Sequence, residues 1–275
     1  MSDNDLGRAV SETIKLYNLE SDDIQSEERV AGSIDPLHID ERLVVFHRPK
    51  SIESEYFRFL KTRIEQEFDG TMGKQKGKQK GKQKGRVIMI TGPTLGAGKT
   101  TCAINLALTF ARTHGNQTLL VDVDSRKAAS SKYLGIMEEN LPGFTDVLNL
   151  QASTEQVLIN SDIFDMVYFP PGQFSETFLD HLDGQELSIL IENLRSKFKY
   201  VIIDAPPVFP MPEPAIIARH CDGVFIVLRA GRDGQGDLTQ AMEALEGANL
   251  MGVILNAIKN TPGQRYGAYG YYGKR

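Results

Sequence analysis

The pattern of apolar positions becomes regular at residue 51, and from there it predicts well-defined secondary structure. Five apolar side chains recur every four residues and predict a helix over residues 51–70: Ile52, Tyr56, Leu60, Ile64 and Phe68. Ser51 can cap this helix, and Glu53 and Glu55 fall in its first turn, where acidic side chains are favourable. We expect the apolar stripe to pack on the core of the protein.

Residues 1–50 have a weaker pattern. They predict a short helix near the N-terminus, an acidic linker poor in aromatic residues over 19–36, and a brief extended piece over 43–46. Residues 73–86 contain three copies of G-K-Q-K and no apolar group to bury, so we predict a flexible lysine-rich linker over residues 71–85.

From residue 86 to about 260, short apolar runs alternate with amphipathic segments. The apolar runs predict strands over 87–90, 118–126, 166–169, 201–204, 224–228 and 251–255. The amphipathic segments predict helices over 100–114, 144–148, 186–197 and 240–248. This alternation predicts an α/β domain with a doubly wound, mostly parallel sheet, helices on both faces, and ligands at the carboxyl ends of the strands.

The composition is that of one sizeable domain with extra segments at its ends, since 41% of the 275 residues are hydrophobic and 24% are charged. The two cysteines, Cys102 and Cys221, are far apart and lack a metal-ligand spacing, which argues against a disulfide framework or a zinc site. No apolar run approaches the ~18 residues that a membrane span requires. We therefore expect a cytoplasmic protein whose membrane association is peripheral or through a partner.

The first of the candidate chemical motifs is the stretch I-M-I-T-G-P-T-L-G-A-G-K-T-T at residues 88–101. A strand that runs into a glycine-rich loop at the start of a helix is typical of phosphate binding. Lys99 supplies a point charge, and the Thr100 hydroxyl can join a Mg²⁺ shell. The strict motif has glycine where this chain has Pro93, with a glycine one position earlier. The predicted nucleotide contacts are Gly96, Ala97, Gly98, Lys99, Thr100 and Thr101.

Three acidic residues stand at the ends of predicted strands: Asp122, Asp124 and Asp204. A spacing of two predicts that Asp122 and Asp124 project to one side of an extended chain. Transfer of a γ-phosphoryl group needs a positioned Mg²⁺ ion and neutralised charge, and one carboxylate can take the proton of an attacking hydroxyl. Together with the loop, these acids predict an ATP and Mg²⁺ site.

Three motifs in this order resemble those of the bacterial tyrosine kinases that regulate capsule and exopolysaccharide assembly. They are L-G-A-G-K-T-T at 95–101, L-L-V-D-V-D-S-R at 119–126, which matches D-x-D-x-R, and V-I-I-D-A-P-P-V at 201–208, which matches D-x-x-P. The resemblance extends over about residues 43–256. The partition ATPases ParA and MinD look less close, because they carry a signature lysine early in the loop, where this chain has Thr94.

The resemblance implies a P-loop NTPase fold and a role for each matching residue. Lys99 would contact the β- and γ-phosphates, and Asp122 would activate the acceptor tyrosine hydroxyl. Thr100, Asp122 and Asp204 would serve the metal, Asp204 from behind its water shell, and Asp124 would assist them.

Two further residues are implied to serve the nucleotide. Asn256 in G-V-I-L-N matches an asparagine that reads adenine, and Arg126 would orient the strand end near the nucleotide. One departure lies in M-P-E-P-A at 211–215, where the family usually has an aspartate followed by alanine. Glu213 keeps the charge there, and Pro214 stiffens the turn.

A ridge on the predicted first helix, formed by Glu55, Arg58 and Lys61, resembles the family's oligomerisation motif E-x-x-R-x-x-R. Lysine replaces the last arginine, and lysine cannot make the bidentate carboxylate contact. The residues by themselves equally suit a solvated Glu–Arg pair worth a few tenths of a kcal/mol. The resemblance implies a homo-oligomeric ring.

The last fifteen residues hold four tyrosines and no acidic residue. By composition they form a Gly/Tyr-rich tail, and by resemblance they form the tyrosine cluster that the kinase phosphorylates, in trans within a ring. The candidate phospho-acceptors are Tyr266, Tyr269, Tyr271 and Tyr272.

The sequence therefore predicts an ATP- and Mg²⁺-dependent protein-tyrosine autokinase that regulates exopolysaccharide or capsule polymerisation and export. The resemblance implies activation by a membrane polysaccharide co-polymerase, which would place the chain at the inner face of the plasma membrane. Residues 73–86 hold seven bases and no acid, so they are either a plain linker or a contact to an anionic membrane surface. No nucleic-acid partner is expected. A P-loop ATPase switch without kinase activity and a nucleotide-binding scaffold are the alternatives.

Overall fold

The computed structural model describes residues 34–73, 84–175 and 177–258. The predicted N-terminal helix, most of the acidic linker, the lysine-rich residues 74–83 and the tyrosine-rich tail lie outside these ranges.

The domain is built on a seven-stranded sheet with the order β3-β4-β2-β5-β1-β6-β7. The strands are β1 (Arg86–Thr91), β2 (Thr118–Asp122), β3 (Ile159–Ser161), β4 (Met166–Phe169), β5 (Tyr200–Asp204), β6 (Gly223–Arg229) and β7 (Leu250–Asn256). All neighbours pair in parallel except β3, which runs antiparallel to β4 at one edge. The predicted doubly wound, mostly parallel sheet is confirmed, and β3 is the strand that the apolar pattern did not predict.

Ten helices of very different length accompany the sheet within the described residues. They are α1 (Val44–His47), α2 (Ile52–Gly73), α3 (Lys99–His114), α4 (Ala129–Tyr133), α5 (Phe144–Leu148), α6 (Thr154–Val157), α7 (Phe178–Leu182), α8 (Gln185–Lys197), α9 (Glu213–Ala218) and α10 (Gln235–Ala244). None of them is both long enough and apolar enough to cross a membrane.

The sheet is buried on both faces because its strands are apolar at successive positions. In β1, Val87 and Met89 belong to one core, and Ile88 and Ile90 belong to the core on the opposite face. Helix α3 packs on the second face, and α8 packs on the first. The carboxyl ends of the three neighbouring strands β2, β5 and β1 therefore lie side by side at one end of the sheet.

The apolar stripe predicted for α2 is only half correct. Ile64 and Phe68 are buried, whereas the Ile52 and Tyr56 side chains are 43% and 46% exposed. Successive helical residues turn by about 100°, so each step of four residues advances the stripe by about 40° around the helix axis. Over the four steps from residue 52 to residue 68, the stripe drifts from the solvent to the core.

Residues 43–46, predicted to be extended, contribute to helix α1 instead. The Asn105 side chain on α3 accepts a hydrogen bond from the Val45 N–H at 2.9 Å and donates one to the Arg42 carbonyl at 3.0 Å. Leu43 and Val45 are fully buried beside it. Contacts with α3 thus stabilise a local conformation that the short apolar run did not predict.

The helix predicted over 240–248 begins five residues earlier, as α10. The Asp237 carboxylate accepts a hydrogen bond from the Gly234 N–H at 2.7 Å, so this side chain caps the first turn. The start of α10 is therefore decided by this capping hydrogen bond, and the apolar periodicity alone predicted a start that was too late.

Candidate active site

The glycine-rich loop lies between the end of β1 and the start of α3, and it is pressed against the end of β7. Gly98 has a φ of 98°, which favours glycine, and a Cβ there would come within 1.9 Å of the Asn256 amide nitrogen. That nitrogen donates a hydrogen bond to the Ala97 carbonyl at 2.9 Å. Asn256, predicted to read adenine, is therefore in direct contact with the loop.

Lys99 is the first residue of α3, and its side chain is buried at the base of the loop. Its ammonium donates a hydrogen bond to the Thr94 carbonyl at 3.2 Å. Burial lowers the pKa of Lys99, and the carboxylates of Asp204 and Asp124 act in the opposite direction. The loop thus holds a cation next to the acidic end of the sheet.

Asp204 ends β5 and is only 1% exposed. Within the described residues, neither of its carboxylate oxygens has a hydrogen-bond partner. Burial raises its pKa well above the usual range, the nearby Asp122 adds to the effect, and the Thr100 hydroxyl and the Lys99 ammonium reduce it. A buried carboxylate without donors is costly, so the site is suited to a cation that would neutralise it.

Asp122 ends β2 and lies directly opposite Asp204 in the register of the two strands. Both of its oxygens are hydrogen-bonded: Oδ1 accepts from the Asp124 N–H at 2.8 Å, and Oδ2 accepts from the Ser130 hydroxyl. Burial raises the pKa of Asp122 to about 7. A carboxyl with a pKa near neutrality is well matched to accepting a proton at physiological pH.

The expected extended conformation of the D-x-D segment is wrong beyond Asp122. The strand ends at Asp122, and the Asp124 carbonyl accepts hydrogen bonds from the Lys127 and Ala128 N–H groups, so Asp124 lies in a turn. The Asp122 carboxylate accepts a hydrogen bond from the N–H of Asp124, two residues further on, and such a bond favours a turn. Asp124 consequently lines the cleft, while Asp122 lies buried behind it.

The oxygen groups at this end of the sheet suit Mg²⁺, a hard cation that is usually bound through one or two carboxylates, waters and substrate phosphates. Thr100 and the unpartnered Asp204 offer such oxygens. Among the described residues, no group of three or more His, Cys, Asp or Glu side chains could enclose a metal by itself. The donor set therefore fits a metal that arrives with a nucleotide.

A cleft of about 870 Å³ opens above the loop. One wall is formed by loop and α3 residues, including Gly96, Thr100 and Thr101, and the opposite wall by side chains between residues 41 and 57. This volume lies within the range of small-molecule and cofactor sites. The loop thus faces a space that can hold a nucleotide and part of a second substrate.

Comparisons with known proteins agree with this geometry. Residues 85–253 match the AAA domain family model. The chain is 32% identical to the tyrosine-protein kinase CpsD of Streptococcus agalactiae over 226 residues, which is 80% of this chain and 90% of that protein. The chain belongs to the bacterial tyrosine kinase family. It is also 29% identical to the tyrosine-protein kinase YwqD of Bacillus subtilis, over 85% of this chain and 92% of that protein.

Among solved structures, the chimerical protein CapA2B2 superposes on this kinase-family chain with a TM-score of 0.68 and 26% identity. The match covers 81% of this chain and 93% of that one. The resemblance inferred from the three motifs is therefore confirmed, and so is the P-loop NTPase fold.

Arg126, expected near the nucleotide, is not among the residues that line the cleft of this kinase fold. Its guanidinium pairs with the buried Glu213 carboxylate at 3.0 Å and lies 4.0 Å from the centre of the Phe174 ring. Glu213 is the first residue of α9, followed by Pro214, and proline is tolerated in a first helical turn. The unusual Glu213-Pro214 pair thus anchors the turn after β2 to α9.

Two arginines at the end of β6 donate hydrogen bonds to the phosphate loop of the kinase fold. The sequence analysis did not single them out. Arg232 donates hydrogen bonds to the Leu95 carbonyl at 2.8 Å and to the Thr94 hydroxyl at 2.6 Å. Arg229 donates to the Gly96 carbonyl at 3.3 Å. In the run R-A-G-R-D, Arg229 is the last residue of the parallel strand β6, and Arg232 lies three residues further on. Ligands bind at the carboxyl ends of such strands, so this position in the sequence could have revealed both arginines.

The ridge on α2 does not act as a unit within the kinase protomer. Arg58 pairs with Glu55 at 3.0 Å and donates to the Pro49 carbonyl at 2.8 Å. Lys61 is largely buried and binds Glu65 at 2.8 Å instead. The exposed Glu55–Arg58 pair remains available at the surface, whereas Lys61 is engaged inside the protomer.

Proposed function

We propose that this chain is an ATP-dependent protein-tyrosine autokinase, acting with a membrane polysaccharide co-polymerase in capsule or exopolysaccharide polymerisation and export. The observation that carries the proposal is the contrast between two adjacent buried acids. Among the residues that the structure describes, none donates a hydrogen bond to either Asp204 oxygen, whereas the Asp124 N–H and the Ser130 hydroxyl each bond one oxygen of Asp122. Asp204 is therefore suited to binding a metal ion, and Asp122 to accepting a proton. Membership of the tyrosine kinase family supports tyrosine as the acceptor.

In this reaction the chain mainly positions groups and neutralises charge, as phosphoryl transfer requires. The loop N–H groups and Lys99 hold the β- and γ-phosphates, and Asn256 orients the base. Asp122 takes the proton of the attacking tyrosine hydroxyl. Thr100 and Asp204, assisted by Asp124, would hold Mg²⁺, which neutralises charge on the phosphate oxygens.

We expect incubation of the full chain with Mg²⁺ and ATP to increase its intact mass in steps of one phosphate, all within residues 261–275. The four tail tyrosines lie outside the described residues, and their role as acceptors rests on the family resemblance and the composition of the tail. Intact and peptide mass spectrometry provides the measurement. The matched control replaces Tyr266, Tyr269, Tyr271 and Tyr272 by phenylalanine.

The same assay distinguishes the alternatives. ATP hydrolysis without any gain in mass would identify a P-loop ATPase switch, and neither signal would identify a nucleotide-binding scaffold. Mixing the four-phenylalanine chain with a Lys99→Met chain tests the direction of transfer. Phosphate on the Lys99→Met chain requires transfer in trans, and its absence, with the wild type labelled, would restrict transfer to the same chain.

The proposed ring uses the exposed face of α2. Beside the Glu55–Arg58 pair, this face carries Ile52, Tyr56 and Phe59, and Phe59 is 68% exposed. Adjacent large apolar side chains of this kind are enriched at protein–protein interfaces. The face therefore combines an apolar contact with a charged pair.

We expect Phe59→Ser to reduce the molar mass measured by light scattering from that of a ring towards the 30.6 kDa of one chain. The matched control is Leu37→Ser, which removes a side chain that is 91% exposed on a different segment. An unchanged ring mass in Phe59→Ser, or an equal loss in both variants, would contradict the assignment of α2 as the interface.

A further inference from the structure

A chain of three hydroxyl groups lies behind Asp122, inside the domain. The Ser130 hydroxyl bonds the Asp122 carboxylate, and its oxygen is 2.6 Å from the Tyr168 hydroxyl. The Tyr168 hydroxyl is in turn 2.8 Å from the Ser131 hydroxyl. Asp122, Ser130 and Tyr168 are at most 1% exposed, so the contacts are shielded from water.

The number of available protons decides which group donates in each of these three hydrogen bonds. A carboxylate that is to accept a proton from a substrate is ionised and only accepts, so Ser130 must donate its single hydroxyl proton to Asp122. The Ser130 oxygen then accepts from Tyr168. Because the single hydroxyl proton of Tyr168 is already donated to Ser130, the Ser131 hydroxyl must donate to the Tyr168 oxygen in the remaining contact.

Two different elements supply this chain. Both serines lie on the short helix α4, and Tyr168 lies on β4, the strand next to β2. The Asp124 N–H fixes one oxygen of Asp122 from the chain that follows β2. The Ser130 hydroxyl bonds the other oxygen, and the Ser130 backbone N–H also acts on the carboxylate. Together with the Asp124 N–H, the hydroxyl restricts rotation of the carboxylate about its Cβ–Cγ bond.

We propose that Ser130 and Tyr168 are positioning residues that hold Asp122 in the orientation needed to take the proton from the acceptor tyrosine. The inference rests on the proposed role of Asp122 as the base. Neither residue lines the cleft, so each would act on the transfer through Asp122. Their effect is on the transfer step and leaves substrate binding unchanged.

The test measures the autophosphorylation rate at saturating Mg²⁺-ATP and, separately, the affinity for a fluorescent ADP analogue. We expect Ser130→Ala to slow transfer about a hundredfold and Tyr168→Phe about tenfold, since a mispositioned base forfeits part of the ~10²–10⁴-fold that general-base catalysis contributes. Nucleotide affinity should stay within about twofold in both, because a base engages only in the transition state. The double variant should transfer no more slowly than Ser130→Ala, because both changes act through one path.

Tyr200→Phe is the matched control. Its hydroxyl is 3.4 Å from Glu65, and Tyr200 begins β5, whereas Asp204 ends that strand. The control removes the same atom from another largely buried strand tyrosine, so its transfer rate should stay within about twofold of the wild type.

Several outcomes would overturn the inference: wild-type transfer in both hydroxyl variants, losses that multiply in the double variant, or an equal fall in nucleotide affinity. If thermal melting shows that Ser130→Ala does not fold, Tyr168→Phe, which keeps the buried ring, decides by itself. Asp122→Asn separates this inference from the proposed function. Wild-type transfer in Asp122→Asn would reject the base, whereas an inactive Asp122→Asn with an unimpaired Ser130→Ala would reject the positioning role only.

Discussion

Replacing Lys99 by methionine should remove ATP binding and all measurable autophosphorylation. The Lys99 ammonium is buried at the base of the loop, and in the part of the chain that the structure describes the Thr94 carbonyl alone accepts a hydrogen bond from it. The carboxylates of Asp204 and Asp124 would then face the phosphates without that charge. We expect the transfer rate to fall at least about a thousandfold, which corresponds to ~4 kcal/mol. Isothermal titration with ATP and intact mass measure the two effects.

The control for this change is Lys199→Met, which removes an equal charge from an exposed side chain that does not line the cleft and that lies just before β5, at the opposite end of that strand from Asp204. It should bind and transfer as the wild type does. Undiminished phosphate incorporation in Lys99→Met would show that the loop does not hold the transferring phosphate, and the nucleotide site would have to be sought elsewhere.

Replacing Asp122 by asparagine should separate binding from transfer. The amide has the same shape, its oxygen can still accept from the Asp124 N–H, and its nitrogen can donate to Ser130. We therefore expect nucleotide affinity to stay within about tenfold, or ~1.4 kcal/mol. The base is lost, so transfer should fall by about 10²–10⁴-fold. Single-turnover phosphorylation and nucleotide titration, both in Mg²⁺, provide the two numbers.

Asp204→Asn is the matched comparison, because it makes the same change on the adjacent strand. The Asp204 carboxylate has no donors of its own, so its loss should weaken Mg²⁺-dependent nucleotide binding and transfer together. If Asp122→Asn shows that same parallel loss, Asp122 is chiefly a metal ligand, and the assignment of the proton to it is wrong.

Mg²⁺ selectivity follows from the same contrast between the two acids. A metal held by the Asp204 carboxylate and the Thr100 hydroxyl would keep most of its coordination shell for phosphates and water, an arrangement that Mg²⁺ prefers over larger cations. The metal should therefore bind weakly without nucleotide and tightly with it.

The apolar pattern of the sequence by itself determined the architecture. Continuous apolar runs predicted β1, β2, β4, β5, β6 and β7 to within a few residues. All of these except the edge strand β7, where Val253 and Leu255 are exposed, are largely buried on both faces, and such strands must be apolar at successive positions. The edge strand β3 escaped notice because its alternating residues, I-N-S, are too few and too polar to form such a run. The loop and the strand-end acids were also identified from motif and spacing, and Asn256 from the family resemblance. The structure brings all of them to one end of the sheet.

Only the tertiary structure distinguished the roles of the acids and revealed their neighbours. By pattern and spacing Asp122 and Asp204 are equivalent strand-end carboxylates, and only the family resemblance implied different roles for them. Within the described residues, the fold gives Asp122 donors for both oxygens and leaves both Asp204 oxygens without a hydrogen-bond partner. Ser130 and Tyr168 became visible only because α4 and β4 converge on Asp122, and Arg229 and Arg232 only because the end of β6 meets the loop. Hydrogen-bond partners distant in sequence are decided by packing, and no local pattern encodes which donor a buried carboxylate will meet.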